Sequence, residues 1–272
     1  MAENKWSPQN VLIDFSDTRP VIKSGDQKPP DPLQVYMSLY WWMSWNVPAG
    51  TRLPFLVVPT GCISLVFDKA HENAGLGSMI VGVRTVAYTM NLEGSGYMMG
   101  VNFAPAGAYP LISGDASSLT NDVAPLRNSL EKGNQVEQDV FAAEDFDRQC
   151  RILNETFSSI FPTKVDGNIR LVQGIFDFLS SIEYNPSIEE ICTHFHVTER
   201  KLQRLFKEYV GITPKALIVT KRFQWASQVM SQGQSIRWAE FASELGYADQ
   251  AHFIKDFKRI TGQTPEEAKK FR

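Results

Sequence analysis

The sequence predicts an α+β multidomain chain: a β-rich N-terminal domain, barrel-like or a sandwich, followed by an all-α double helix-turn-helix domain. Three observations carry this. Short apolar runs separated by turn residues fill the chain up to about residue 130, the apolar spacing then becomes helical, and the last hundred residues contain a self-match at an offset of 51 residues.

At 272 residues the chain is comfortable for two domains, and its 43% apolar and 21% charged residues are those of an ordinary folded protein. No apolar run approaches the roughly 18 residues of a membrane span. Residues 1–8 are polar and lack an apolar signal core, which predicts a cytoplasmic protein. Cys62, Cys150 and Cys192 are odd in number and far apart, which fits a reducing compartment better than a disulfide framework. Charge is unevenly divided. Residues 168–272 hold 15 Lys+Arg against 12 Asp+Glu, leaving 12 against 18 upstream, so only the C-terminal part has the sign suited to phosphate.

Residues 1–134 form the predicted sensing or dimerisation domain. Segments 55–58, 62–67, 79–83 and 97–103 have strand length and composition. Pro59-Thr60-Gly61 predicts a hairpin joining the first two, Gly94-Ser95-Gly96 supplies a further turn, and Pro29, Pro30 and Pro32 mark an irregular opening stretch. Residues 135–167 form a helical segment and linker. Phe146, Cys150, Leu153, Phe157 and Ile160 recur every three or four residues, so one stripe faces either the β domain or a second copy of the chain. Pro162 ends that helix, and residues 163–168 are the predicted boundary.

Residues 168–272 are helical in period, with a break at Asn185-Pro186-Ser187. The self-match aligns Phe206, Lys207, Gly211, Thr213 and Pro214 with Phe257, Lys258, Gly262, Thr264 and Pro265. Each copy reads as a helix end and a helix start. Gly211 and Gly262 suit the left-handed residue that closes a helix. Thr213 and Thr264 can cap the next helix, with proline at its first position, and Glu267 completes a capping box with Thr264.

Upstream of each copy the pattern is helix, turn, helix. Ile188, Ile191, Cys192 and Phe195, then Leu202, Leu205 and Phe206, supply the inner faces of the first module. Trp238, Phe241, Ala242 and Leu245, then Phe253 and Phe257, supply those of the second, with Gly246 at the turn and Tyr247 beneath it. Outward on the two second helices stand Arg200, Lys201, Gln203, Arg204 and Lys207, and Gln250, Ala251, His252, Ile254 and Lys255. Arg and Gln can make bidentate bonds to guanine and adenine edges in the major groove. Lys207, Lys258 and Arg259 suit phosphate, which adds affinity without sequence information. The pattern therefore predicts double-stranded DNA as a partner, with the first helix the more strongly cationic reader.

These residues resemble the AraC/XylS family of bacterial transcription regulators. The resemblance covers about 168–272 and rests on residues 202–207, Gly211-Ile212-Thr213-Pro214, Arg222 with Ala226, and Gly246-Tyr247 through Phe253 and Phe257 to Gly262-Gln263-Thr264-Pro265. It implies two modules joined by a long helix over 214–231, with recognition helices in major-groove segments one turn, roughly 34 Å, apart. It also implies base-reading roles for Arg200, Gln203 and Arg204 and for Gln250, His252, Ile254 and Lys255, and RNA polymerase as a partner. Two residues depart from the pattern. His196 stands at a turn position where the family usually has glycine, which predicts a positive φ. Lys255 stands in place of arginine, which favours phosphate over a bidentate base contact. The N-terminal part resembles the effector-side domain of such regulators more distantly, through residues 59–67, Val81-Gly82 and 100–108.

Other chemistry is weakly supported. Cys192, His194 and His196 are close in sequence but lack a fourth donor, so no metal site and no cofactor is expected. His71 is the only histidine before residue 168, and no phosphate loop, GxSxG or plausible catalytic Cys–His pair is present, so no enzyme is expected. Tyr40, Trp41, Trp42, Phe55 and Tyr97 are candidate effector-binding residues, with a plain hydrophobic core as the alternative. A homodimer fits the chain as well. The rival reading is an enzymatic or repair domain fused to a DNA-binding tail, which a reactive thiol at Cys62 would favour.

Overall fold

A computed structural model describes residues 21–69, 77–112, 114–182, 186–231 and 236–269. Residues 1–8, His71 and Asn185, used in the sequence reading, lie outside them. Among the described residues, the N-terminal half contains β1 (Ile22–Gln27), β2 (Met37–Asn46), β3 (Leu53–Val57), β4 (Ser64–Asp68), β5 (Ser78–Val81), β6 (Tyr88–Leu92), β7 (Ser95–Phe103) and β8 (Val123–Pro125). Six of these form one sheet in the order β1-β2-β7-β4-β5-β8, and β3 pairs with β6 in a second.

The expected hairpin between 55–58 and 62–67 does not form. Leu53 faces Leu92 across β3 and β6, whereas β4 pairs with β5 and β7, so residues 58–63 cross from one sheet to the other. Pro59 has no N–H to extend a ladder, and Thr60 Oγ1 accepts from the Cys62 amide at 3.2 Å, turning the chain before Gly61 at φ +78°. An apolar run states that it will pair but not with which strand.

Alternation along the strands divides the large sheet into two faces. Tyr40 and Trp42 point to one side, with Leu65, Phe67, Met99 and Val101. Trp41, Met43 and Trp45 point to the other, with Val66 and Met98, toward the small sheet, where Met43, Trp45, Phe55, Leu92 and Met98 form a core. Gly100 lies opposite Trp41, and a Cβ there would stand 2.5 Å from the indole, so only glycine lets that ring lie flat on the sheet.

The first face is covered by helices. After a single turn, α1 (Leu126–Ser129), the helix expected as one unit is two, α2 (Gly133–Ala142) and α3 (Phe146–Ile160). Asp145 separates them by capping α3 at the Arg148 amide, 2.7 Å. The apolar stripe of α3 packs on the sheet rather than facing a second copy: Phe157 meets Phe103 edge-on at 6.1 Å, Phe146 lies 6.4 Å from Trp42, and Tyr40 donates to Asn154 Oδ1 at 2.7 Å.

The C-terminal half follows as α4 (Gly167–Ser181), α5 (Ile188–His194), α6 (Glu199–Tyr209), α7 (Pro214–Ser231), α8 (Trp238–Glu244), α9 (Gln250–Thr261) and α10 (Pro265–Lys269). Its apolar packing does not divide at residue 167. One continuous core joins Leu65, Phe67 and Phe103 of the sheet to Phe157 of α3, Phe176 of α4 and Leu202 and Phe206 of α6, and ends at Leu217 and Ile218 of α7. A second core begins at Phe223 and Ala226, continues through Phe241, Leu245, Phe253 and Phe257, and takes in Val58 of the β domain. The division falls inside α7.

Candidate nucleic-acid interface

The two modules repeat the same local chemistry. Ser187 caps α5 with a complete capping box to Glu190, and Thr198 caps α6 at the Lys201 amide, 3.2 Å. Asp249 caps α9 at the His252 amide, 2.7 Å. The tight turns match bond for bond: the Val197 amide reaches the Cys192 carbonyl at 3.0 Å, and the Tyr247 amide reaches the Ala242 carbonyl at 2.9 Å. His196 holds φ +51° in the first turn, where Gly246 holds φ +73° in the second. The non-glycine residue costs about 1 kcal/mol in that region. Gly211 at φ +94° and Gly262 at φ +79° close α6 and α9, and the Thr264–Glu267 capping box is formed. α7 runs for 18 residues, about 27 Å of helix, between the modules.

On α6 the inner face is Leu202, Leu205, Phe206 and Tyr209, all buried, which leaves Arg200, Lys201, Arg204 and Lys207 exposed and Gln203 half-buried. On α9 the buried face is Phe253, Phe257 and Ile260, leaving Gln250, Ala251, His252, Lys255 and Lys258 exposed. Ile254 is only partly outward, packed against the second core. Asp256 tempers the charge of α9, binding Arg259 at 3.1 Å and lying 3.9 Å from His252 Nε2. Arg222 of α7 sits 4.8 Å above the Tyr247 ring and props the second turn.

A feature that the sequence does not reveal is that the β domain touches both second helices. Asp115 Oδ2 lies 3.5 Å from Lys207 Nζ. The neighbouring 3-10 turn, Ala116–Leu119, packs on α6, and the Thr120 hydroxyl donates to the Gly211 carbonyl. On the other side the Ala87 amide donates to the Ile260 carbonyl of α9 at 2.7 Å, and Gln224 of α7 donates to the Pro59 carbonyl at 2.9 Å. None of these pairs has a sequence pattern, because each joins loops to helices far along the chain.

The candidate effector residues are dispersed by strand alternation. Trp41 lines a cavity of about 130 Å³ between the two sheets. Phe55 is buried in the inter-sheet core. Tyr40, Trp42 and Tyr97 are on the opposite face, where Tyr97 donates to Gln149 Oε1 at 2.6 Å and stacks near Trp42. The cavity instead uses Met43, Val57, Val66, Met79, Val81, Arg84, Tyr88 and Met98, mostly single apolar residues that carry no motif. The Cys62 thiol is buried, and burial pushes it up to about 12.

Two capped helix-turn-helix modules, each presenting an exposed polar helix face and joined by one helix, define a double helix-turn-helix domain. Residues 191–270 match a helix-turn-helix domain family, and the domain is of the AraC type. Residues 26–125 match a domain of unknown function, DUF6597. The chain is similar to the lactose operon transcription activator of Staphylococcus xylosus, 24% identical over 146 residues, 53% of this chain and 51% of that one. It is also similar to the RCS-specific HTH-type transcriptional activator RclR of Escherichia coli K12, 31% identical over 81 residues, 30% of this chain and 28% of that one. The match thus spans about half the length of the first relative and less than a third of the second. Among solved structures, ToxT from Vibrio cholerae O395 aligns over 93% of this chain and 98% of that chain at 13% identity, with a TM-score of 0.40.

Proposed function

We propose that the chain is a sequence-specific DNA-binding transcription regulator, an activator by its relatives, whose β domain senses a small molecule and alters how α6 and α9 engage a promoter. The observation that carries this reading is the pair of modules whose second helices, each capped by a side chain, offer Arg200, Gln203 and Arg204 on one and Gln250, His252 and Lys255 on the other. In this reading the first helix reads bases, and Lys207, Lys258 and the second helix contribute more through phosphate and shape. RNA polymerase is the partner for activation, a second copy of the chain is compatible, and the site of action is the cytoplasm; no described helix is long and apolar enough to cross a membrane.

The β domain acts as a sensor and not as an enzyme. Burial pushes the Cys62 pKa up to about 12, so the group stays a protonated thiol and a poor nucleophile, which speaks against the fused-enzyme reading. The test is selection of bound fragments from genomic DNA by the purified chain. Enrichment of a two-part site with half-sites about one helical turn apart is the expected result. Recovery of fragments without a shared motif overturns sequence-specific regulation.

A further inference from the structure

The cavity between the sheets has unlike ends. Ser64 opposes Asn102 on β7 and Val81 on β5, whereas Asp68 opposes Met98, four residues further along β4 and so roughly 13 Å away. Behind the Ser64 end stands Asn102, which bonds Ser64 but is not itself among the residues that line the cavity. Asn102 is 2% exposed, and its Oδ1 accepts from both Trp41 Nε1 and Ser64 Oγ at 3.0 Å. An indole nitrogen only donates, so the amide oxygen must face it, and the Asn102 Nδ2 group is left as a buried donor with no acceptor among the described residues. Arg84, which lines the cavity just beyond β5, leaves a second one: its Nη1 reaches the Asn121 carbonyl at 2.7 Å, while its Nε is buried and unmatched. Each orphan donor destabilises the fold, and a cation does so more strongly than a neutral amide.

Between the ends the walls are apolar: Met43, Val66, Met79 and Val81, with Trp41 and Tyr88 as flat surfaces. A volume of about 130 Å³ is close to that of a cavity that admits one six-membered ring, roughly 150 Å³. Asp68 stands at the far end, so it disfavours an anion there and sets the direction of entry.

We propose that this cavity binds a compact apolar monocarboxylate of about six or seven carbons, its ring or chain among the methionines and valines and its carboxylate at Arg84. The assignment rests on the sensor reading of the β domain and supplies its ligand class. It also supplies a route outward. Arg84 is bonded to Asn121, next to the Thr120 that holds Gly211, and Gly82 lies so close to the Ala116–Leu119 turn that a Cβ would fall 1.7 Å from the Leu119 oxygen. Movement of Arg84 toward a carboxylate is therefore felt at α6.

The test is calorimetric titration of the full chain with cyclohexanecarboxylate, cyclohexanol and cyclohexylamine, on wild type, Arg84→Met and the cavity-filling Val81→Phe. The expected result is preferential binding of the carboxylate, weakened at least tenfold by Arg84→Met and abolished by Val81→Phe, with cyclohexanol weak and indifferent to Arg84→Met. Preference for the amine assigns the head group to Asp68 and overturns the proposal. So does carboxylate binding unaffected by Arg84→Met, or binding of none of the three probes to wild type. Should either variant fail to fold, the order of the three probes on wild type still decides. DNA affinity is measured on the same wild-type sample: intact DNA binding with no carboxylate binding overturns the ligand alone, whereas carboxylate binding without DNA binding overturns the regulator reading.

Discussion

Tyr109 of the β domain lies flat against Tyr209 of α6, with ring centroids 3.8 Å apart, planes 14° from parallel, and its hydroxyl donating to Glu208 Oε1 at 3.0 Å. Burial first, and then the Glu208 carboxylate, push the Tyr109 hydroxyl above the ordinary tyrosine range. Tyr209 in turn donates to Asp166 Oδ2 at 2.7 Å, so the stack ties the β domain, the start of α4 and the first reading helix together. Tyr109→Phe should cost about 1 kcal/mol, the worth of one hydrogen bond, and Tyr109→Ala about 3 kcal/mol. Urea unfolding of the two variants checks both the order and the gap; equal costs would remove the ring stack as a source of stability.

Asp115 places a negative charge beside a side chain proposed for phosphate. Burial works against its ionisation, but hydrogen bonds from Ser117 and the nearby Lys207 outweigh that and hold the carboxyl below its usual value. The pair is largely exposed, so Asp115→Asn should change stability by less than about 1 kcal/mol. It should nonetheless tighten DNA binding several-fold. Lys207→Ala should reduce the slope of log affinity against log salt by about one, as read by fluorescence anisotropy across a salt series.

Arg204 and Lys258 should behave differently on replacement. Arg204→Ala is expected to cost about 1–3 kcal/mol on the cognate site and to relax the preference at one base pair. Lys258→Ala should weaken all sequences alike. Competition between cognate and scrambled duplexes separates the two; an unchanged ratio for Arg204→Ala would exclude it from base reading.

The three thiols should label in a fixed order. Burial pushes Cys62 and Cys150 up to about 12, and both are buried, whereas Cys192 is half-exposed and its thiol is raised by burial to a lesser degree. Under native conditions a disulfide reagent should modify Cys192 first, with Cys62 and Cys150 reacting only on unfolding. Prompt labelling of Cys62 would contradict the packing around β4.

Lys221 of α7 donates to the carbonyls of Leu179 and Ile182 at the end of α4, and burial, with Arg222 adding, pulls its ammonium from 10.5 down to about 8. Between those values the unfolded chain binds more protons than the folded one, so this group's contribution to stability rises with pH over that window and is least favourable below 8. Buried Cys62 acts in the opposite sense above pH 9, where the folded thiol stays protonated. The difference between wild type and Lys221→Met isolates the lysine: it should shift in favour of wild type as pH rises from 8 to 10.

The helices were legible because each carries its own punctuation. Thr198, Thr213 and Thr264 cap, Gly211 and Gly262 close, and even the strained turn at His196 follows from a missing glycine. These are local events within four residues of sequence. The β domain was legible only in class. β2 read as an aromatic cluster and not as a strand, and period two then sent Trp41 to the cavity and Tyr40 and Trp42 to the helices. The gap between α2 and α3 was hidden because Asp145 resembles any surface acid until its cap is seen. The inter-domain contacts were beyond reach for a further reason: Asp115, Ala87 and Pro59 act through position alone, and two of the three through backbone atoms that every residue shares.

The division of apolar packing inside α7 has a thermodynamic meaning. With Phe206 in the same core as Phe103, the β domain and the first module should melt as one cooperative unit, and the second module, whose separate core among the described residues meets the β domain only at Leu56, Val58 and Ala87, should open at lower cost. Heating should then give a small early endotherm followed by a large one, and the first would be the release of α9 from Ala87. Cutting at residue 167 would not liberate a domain; it would split an oil drop.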